Sequence, residues 1–231
     1  MTNAVPILAA LVAAAAAVVR APRWPNTQSR PLTLGLALLA VWAVMRTPVI
    51  HRAAEDFAAT TLHYERLPEL LAQVASISAA ALLTVTVAQA WARPTLIKAI
   101  YVTLAVVLAA VLVTYDPVES PDHLINARKW LIAGAMLVSS IATIVAATLS
   151  LRELPARYRL PMMLFLAGGV LAMIASIARG AVLLMPDVRL GDWWAVLASL
   201  PIFAYAIGSL IASARTRNMA AEQETDVDLD A

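Results

Sequence analysis

Long apolar runs alternate with short polar connections along the chain, and the runs share one characteristic length. Seven stand out, at residues 4–19, 32–50, 70–91, 96–115, 130–151, 160–185 and 193–214. A helix rises about 1.5 Å per residue, so about 20 apolar residues cross the roughly 30 Å hydrocarbon core of a bilayer. Barrel strands would be about ten residues long and strictly alternating, and these runs do not alternate. They predict an all-α fold, a polytopic membrane bundle of seven transmembrane helices over residues 1–214. The first run is the shortest. A cleaved signal peptide would begin with basic residues, whereas residues 1–5 have none and Arg20, Arg23 and Arg30 follow the run. A retained helix is therefore expected.

Between the second and third runs the period changes. Ile50, Ala53, Ala54, Phe57, Ala58, Thr61 and Leu62 recur at helical spacing, with His51, Arg52, Glu55, Asp56 and His63 between them. This predicts an amphipathic helix over about residues 50–66, lying on the outer membrane surface or capping the bundle. In the connection before the fifth run, Ser120 and Pro121 have the residue types of an N-cap and first helical position. A helix is expected to start there and run into the fifth span. The last stretch, residues 215–231, contains five acids between Glu222 and Ala231 and few apolar residues, and is expected to be a disordered tail.

Composition agrees with a membrane setting. The chain is 61% hydrophobic and 14% charged over 231 residues, against roughly 45–50% and about 25% for soluble domains. That argues against a soluble enzyme or a nucleic-acid binder. There is no cysteine, so disulfides and thiolate sites are excluded. Net charge is only +2, and what matters is its distribution. One set of connections holds Arg20, Arg23, Arg30, Arg93, Lys98, Arg152, Arg157, Arg159, Arg215 and Arg217. The opposite set holds Arg46, Arg52, Arg66, Arg128, Lys129 and Arg189. Basic residues accumulate on the cytoplasmic side, so the N-terminus is expected outside and the C-terminus in the cytoplasm. Trp91, Tyr101, Tyr115, Trp130, Trp193 and Trp194 fall at expected membrane interfaces.

Ionisable residues at depth are the usual pointers to function in such proteins. No Asp, Glu or His lies in the middle of a span, which argues against a proton-coupled pump. The seventh run has no lysine for a Schiff base, and an HExxH motif and a serine with a deep base are likewise missing. No catalytic, cofactor or metal site is expected; His51 and Glu55, four residues apart, read as polar-face residues of the amphipathic segment. Arg179, inside the sixth run, is the exception. Gly168, Ala172, Ser176 and Gly180 recur every four residues beside it, and such small residues let a neighbouring helix approach. Gly168 and Ala172 share the Arg179 face, so Arg179 is expected to look into protein or a water-filled cavity, tied to a loop acid such as Asp187 or contacting a substrate. Arg46 and Lys98, near span ends, are expected to snorkel. Gln73, Ser76 and Thr84 form one polar stripe, and Ser139, Thr143 and Ser150 another, suited to interhelical hydrogen bonds or a polar path. The candidate substrate or gate contacts are Arg179, Ser176, Gln73, Ser139 and Thr143. Gly168, Ala172 and Gly180 are the candidate packing positions.

Three stretches carry a resemblance: residues 46–78, RTPVIHRAAEDFAATTLHYERLPELLAQVASIS; the TYDPVESPDH stretch at 114–123; and residues 160–184, LPMMLFLAGGVLAMIASIARGAVLL. Together the chain resembles an actinobacterial family of seven-helix membrane proteins assigned to transport, over most of residues 32–214. The resemblance implies a multi-pass protein of the bacterial inner membrane with a small transporter-like function of unspecified substrate. Genes of this type resemble passengers of phages and mobile elements, so a non-transporting membrane partner in a sensing or phage-defence system is the alternative, and an oligomeric channel a third. The expected partners are the lipid bilayer and either further copies of the chain or a cytoplasmic protein, with no nucleic acid.

Overall fold

The computed structural model describes residues 4–62, 64, 66–90, 94–115, 122–185 and 193–229. Among them the regular structure is helical throughout. The helices are α1 (Ala4–Arg20), α2 (Arg30–Met45), α3 (Pro48–Phe57), α4 (Leu67–Ala90), α5 (Pro94–Val113), α6 (Asp122–Glu153), α7 (Ala156–Leu184) and α8 (Trp193–Leu229). Among the described residues six helices are long and apolar enough to cross a membrane, and the count is seven if α2 and the segment 48–62, bent at the break between them, are taken as one span. His63, Trp91, Arg93, the Ser120–Pro121 helix start, Asp187 and Arg189 lie outside the described residues.

The second run is not one helix. It stops at Met45, and the chain turns by 84° into α3. Pro48 causes the break: it occupies the first turn of α3 and holds Thr47 in an extended conformation at φ −73°, ψ 119°, because the proline ring disfavours a helical residue before it. Buried Thr47 closes the end of α2 by donating its hydroxyl to the Ala43 carbonyl at 3.2 Å. The amphipathic helix therefore begins at Pro48, and after Phe57 a π-helical turn over Ala58–Leu62 ends it before Tyr64. Its Val49, Ile50 and Phe57 are exposed, while Ala58 is buried, so much of its apolar stripe is left uncovered by the rest of the chain.

Six helices form a ring in the order α1, α2, α4, α6, α7, α8, with α8 returning to α1. Small residues close it. Ala9, Ala13 and Ala16 on α1 are fully buried, and their size lets the helix nestle between α2 and α8. Helix α5 stands outside the ring, chiefly against α4, with Val111 its one fully buried side chain among those described. At the end of the ring formed by the α1–α2 connection, Arg20 donates to Ser213 Oγ at 3.2 Å and Arg23 to the Ser213 carbonyl at 3.0 Å. These bonds pin α1 to α8. The opposite end carries Thr47, Arg66 and Tyr115.

Helix α8 is the longest of the described helices, with its backbone helical from Trp193 to Leu229. Ala220, Ala221, Glu222, Gln223 and Glu224 are all strong helix formers, and low hydrophobicity does not oppose a helix that is already nucleated.

Candidate functional site

The ring encloses a cavity of about 80 Å³, lined by α2, α4, α6, α7 and α8 but not α1. On α2, α7 and α8 the lining residues lie in the half nearer the Thr47 end, and on α4 and α6 they straddle the middle of the helix. Six polar side chains reach it: Ser76, Ser139, Ser140, Thr143, Ser176 and Arg179. The volume has room for a few water molecules and falls well short of the roughly 300–1,000 Å³ of sites for drug-sized ligands.

The hydroxyls have a common arrangement. Ser76 donates to the Gln73 carbonyl at 2.9 Å, Ser140 to Met136 at 2.7 Å, Thr143 to Ser139 at 2.9 Å and Ser176 to Ala172 at 2.8 Å. Each proton is thus taken by the hydroxyl's own helix, the usual resort of Ser and Thr in an apolar helix. What they offer the cavity is oxygen lone pairs. Ser139 differs. It donates to the Ala80 carbonyl at 2.8 Å and shares a 2.6 Å hydrogen bond with Thr84, so it clamps α6 to α4 from within the cavity wall. The two polar stripes of the sequence meet in that clamp.

Arg179 lines the cavity, half-buried. It feels the charges of Arg46 at the end of α2 and Glu69 at the start of α4. Arg46 is the C-cap residue of α2, where the negative end of the helix dipole favours a cation. It does not simply snorkel: its Nε is buried without a hydrogen-bond partner among the described residues, and its guanidinium lies 6.0 Å over the ring of Trp42, itself a cavity residue. Glu69 sits in the first turn of α4, the end where an acid is favoured. Its Oε1 accepts from Gln73 Nε2 at 2.8 Å. Gln73 is 1% exposed, does not line the cavity, and its Oε1 has no partner among the described residues. Among the described residues no carboxylate lies within 4.0 Å of Arg46, Arg128 or Arg179; the ion pair seen is His51–Glu55 at 3.1 Å.

Of the small-residue row on α7, Gly168 receives the ring of Tyr205, which would come within 2.7 Å of an added Cβ. Tyr205 is buried, tilted against Phe165 at 5.5 Å, and hydrogen-bonds Thr143. Ala172 and Ser176 line the cavity. Gly180 has only ordinary contact with Trp130 at 3.8 Å, so it is not a point of close helix approach. Close approach occurs instead at Gly169, where an added Cβ would come within 3.0 Å of Ile144, and at Gly208, where it would come within 3.1 Å of the Pro161 carbonyl.

Several residues of this region escaped the sequence reading. Trp194, expected at an interface, lines the cavity, as do Trp42 and Tyr205. Arg128, counted only as a loop charge, is 3% exposed, with Nε and Nη1 unpaired among the described residues. It lies 5.9 Å over the ring of Tyr115. Burial holds the Tyr115 hydroxyl above the usual tyrosine range, and the charges of Arg128, Arg66 and Glu69 reach it. The available signal was register: Arg128 lies one turn before Ile132, which is fully buried. No protein-family model, curated protein or solved structure matches the chain.

Proposed function

We propose that the chain is a small transporter-like protein of a bacterial inner membrane, crossing it seven times with the N-terminus outside and the C-terminus in the cytoplasm. The observation that carries this reading is the cavity: a small, mostly apolar pocket between five helices of an apolar bundle, with a charged residue and several hydroxyls in its wall. Arg179 lies five residues before the end of α7, off the helix centre where a charge costs about 2.5–3.5 kcal/mol on insertion scales, and it stands where leucine would insert without any such cost. The resemblance to the actinobacterial family supports the same reading, and no catalytic role is assigned to any side chain. The test is mild extraction in uncharged detergent followed by mass spectrometry of what co-purifies. A small polar solute is expected with the natural chain and is expected to be lost with Arg179→Leu. Its absence from both, with a stoichiometric soluble protein in its place, overturns the proposal.

That outcome is the second reading, a membrane partner of a soluble protein, and α8 favours it. At 37 residues the helix is about 55 Å long, well beyond the roughly 30 Å hydrocarbon core, so its acidic end has the reach to meet a partner outside the bilayer.

A further inference from the structure

The balance of charge and of hydrogen-bond donors around the cavity specifies a ligand more narrowly, on the premise that the cavity is a substrate site. Two guanidinium groups, Arg179 in the wall and Arg46 stacked over the wall residue Trp42, act with a single carboxylate, Glu69. That carboxylate already accepts from Gln73 and pairs with neither arginine within 4.0 Å. A guanidinium stays charged at any accessible pH, so among the described residues two positive charges face one carboxylate here. Arg128, its Nε and Nη1 unpaired among the described residues, and Arg66 extend that charge at the same end. The hydroxyls of the wall have a different chemistry. Ser76, Ser140, Thr143 and Ser176 donate their protons to backbone carbonyls, so what they offer a ligand is lone pairs.

We propose that the cavity binds a small carboxylate that carries its own hydroxyl or amino donor, its charge held by Arg179 and its donor by the hydroxyl row of α4, α6 and α7. An arginine fork matches a carboxylate in two parallel hydrogen bonds. A bare anion such as acetate satisfies the arginine and leaves the hydroxyl oxygens without a donor. The cavity volume of about 80 Å³ restricts the ligand to the size of a hydroxyacetate or the smallest amino acids.

The test is equilibrium binding of radiolabelled glycolate to the full chain in uncharged detergent, with acetate as competitor. Saturable glycolate binding is expected, with acetate competing about tenfold more weakly, since one lost hydrogen bond to a buried group is worth about that factor. Arg179→Gln is expected to weaken binding by tenfold or more, and Arg179→Lys, which keeps the charge but not the fork, by less. Should Arg179→Gln fail to fold, Arg46→Gln at the cavity edge is expected to weaken glycolate binding without abolishing it. Absence of saturable glycolate binding by the natural chain, unchanged affinity in a folded Arg179→Gln protein, or equal competition by acetate overturns the proposal. Flux into proteoliposomes separates it from the transport reading. Glycolate binding without flux keeps this site and removes transport, whereas flux of another solute without glycolate binding does the reverse.

Discussion

Gly168 and Gly180 belong to one row of small residues on α7, yet their surroundings give opposite expectations. A methyl at Gly168 meets three atoms of the Tyr205 ring at 2.7 to 3.0 Å. That ring cannot swing aside freely, because Phe165 and Thr143 hold it. Gly168→Ala should therefore cost about 1–3 kcal/mol, as overpacking does, and lower the thermal unfolding midpoint in detergent. At Gly180 the nearest atom is 3.8 Å away. Gly180→Ala should leave the midpoint unchanged or raise it, since alanine is the better helix former by up to about 1 kcal/mol. Equal destabilisation by the two substitutions would contradict this account. The spacing identified both glycines; only the position of Tyr205, 37 residues further on, separates them.

At the scale of elements, α3 raises the question of what covers Val49, Ile50 and Phe57. Phe57 is 61% exposed, and an apolar stripe on a helix set 84° from α2 suits a segment lying in the membrane interface. Because the chain has no cysteine, single-cysteine labelling requires no background removal. A nitroxide at Phe57→Cys in lipid bilayers should be accessible to oxygen and shielded from a water-soluble nickel reagent, while one at Arg52→Cys should show the reverse. Nickel access at Phe57 equal to that at Arg52 would place the helix in water. The helix itself was legible from the spacing of Ile50, Ala53 and Phe57. The break before it was marked by Pro48, yet the apolar run continued across it, so composition alone joined what the backbone separates.

For the whole molecule, orientation follows from the distribution of basic residues. Arg20 at one end and Arg46 and Arg128 at the other are drawn into the bundle, and the remaining loop charges keep the same asymmetry. A cysteine placed at Thr60 should react with an impermeant maleimide in intact cells, and one at Ala220 only after lysis. The opposite pattern would invert the molecule and place the Arg46–Arg179 end of the cavity toward the cytoplasm.

The sequence alone was enough for most of the long helices, though not for the break between α2 and α3, because fitness to cross a bilayer is a property of each segment separately: run length against bilayer thickness and small residues for close approach. It was enough to single out Arg179, because one charge in an apolar run is conspicuous anywhere. It was not enough to bring Arg46 and Glu69 into its neighbourhood, to put Trp42 and Trp194 in the cavity wall, to show the protons of Ser76, Ser140, Thr143 and Ser176 committed to their own helices, or to bury Arg128. Those depend on the rotation of each helix about its axis. In a soluble bundle the polar face reveals that rotation, but lipid is as apolar as a protein interior, so the face turned to neighbours and the face turned to lipid read alike. Tertiary packing, through contacts such as Tyr205 in the hollow of Gly168 and the clamp of Ser139 on Ala80, decided which few polar groups share the cavity.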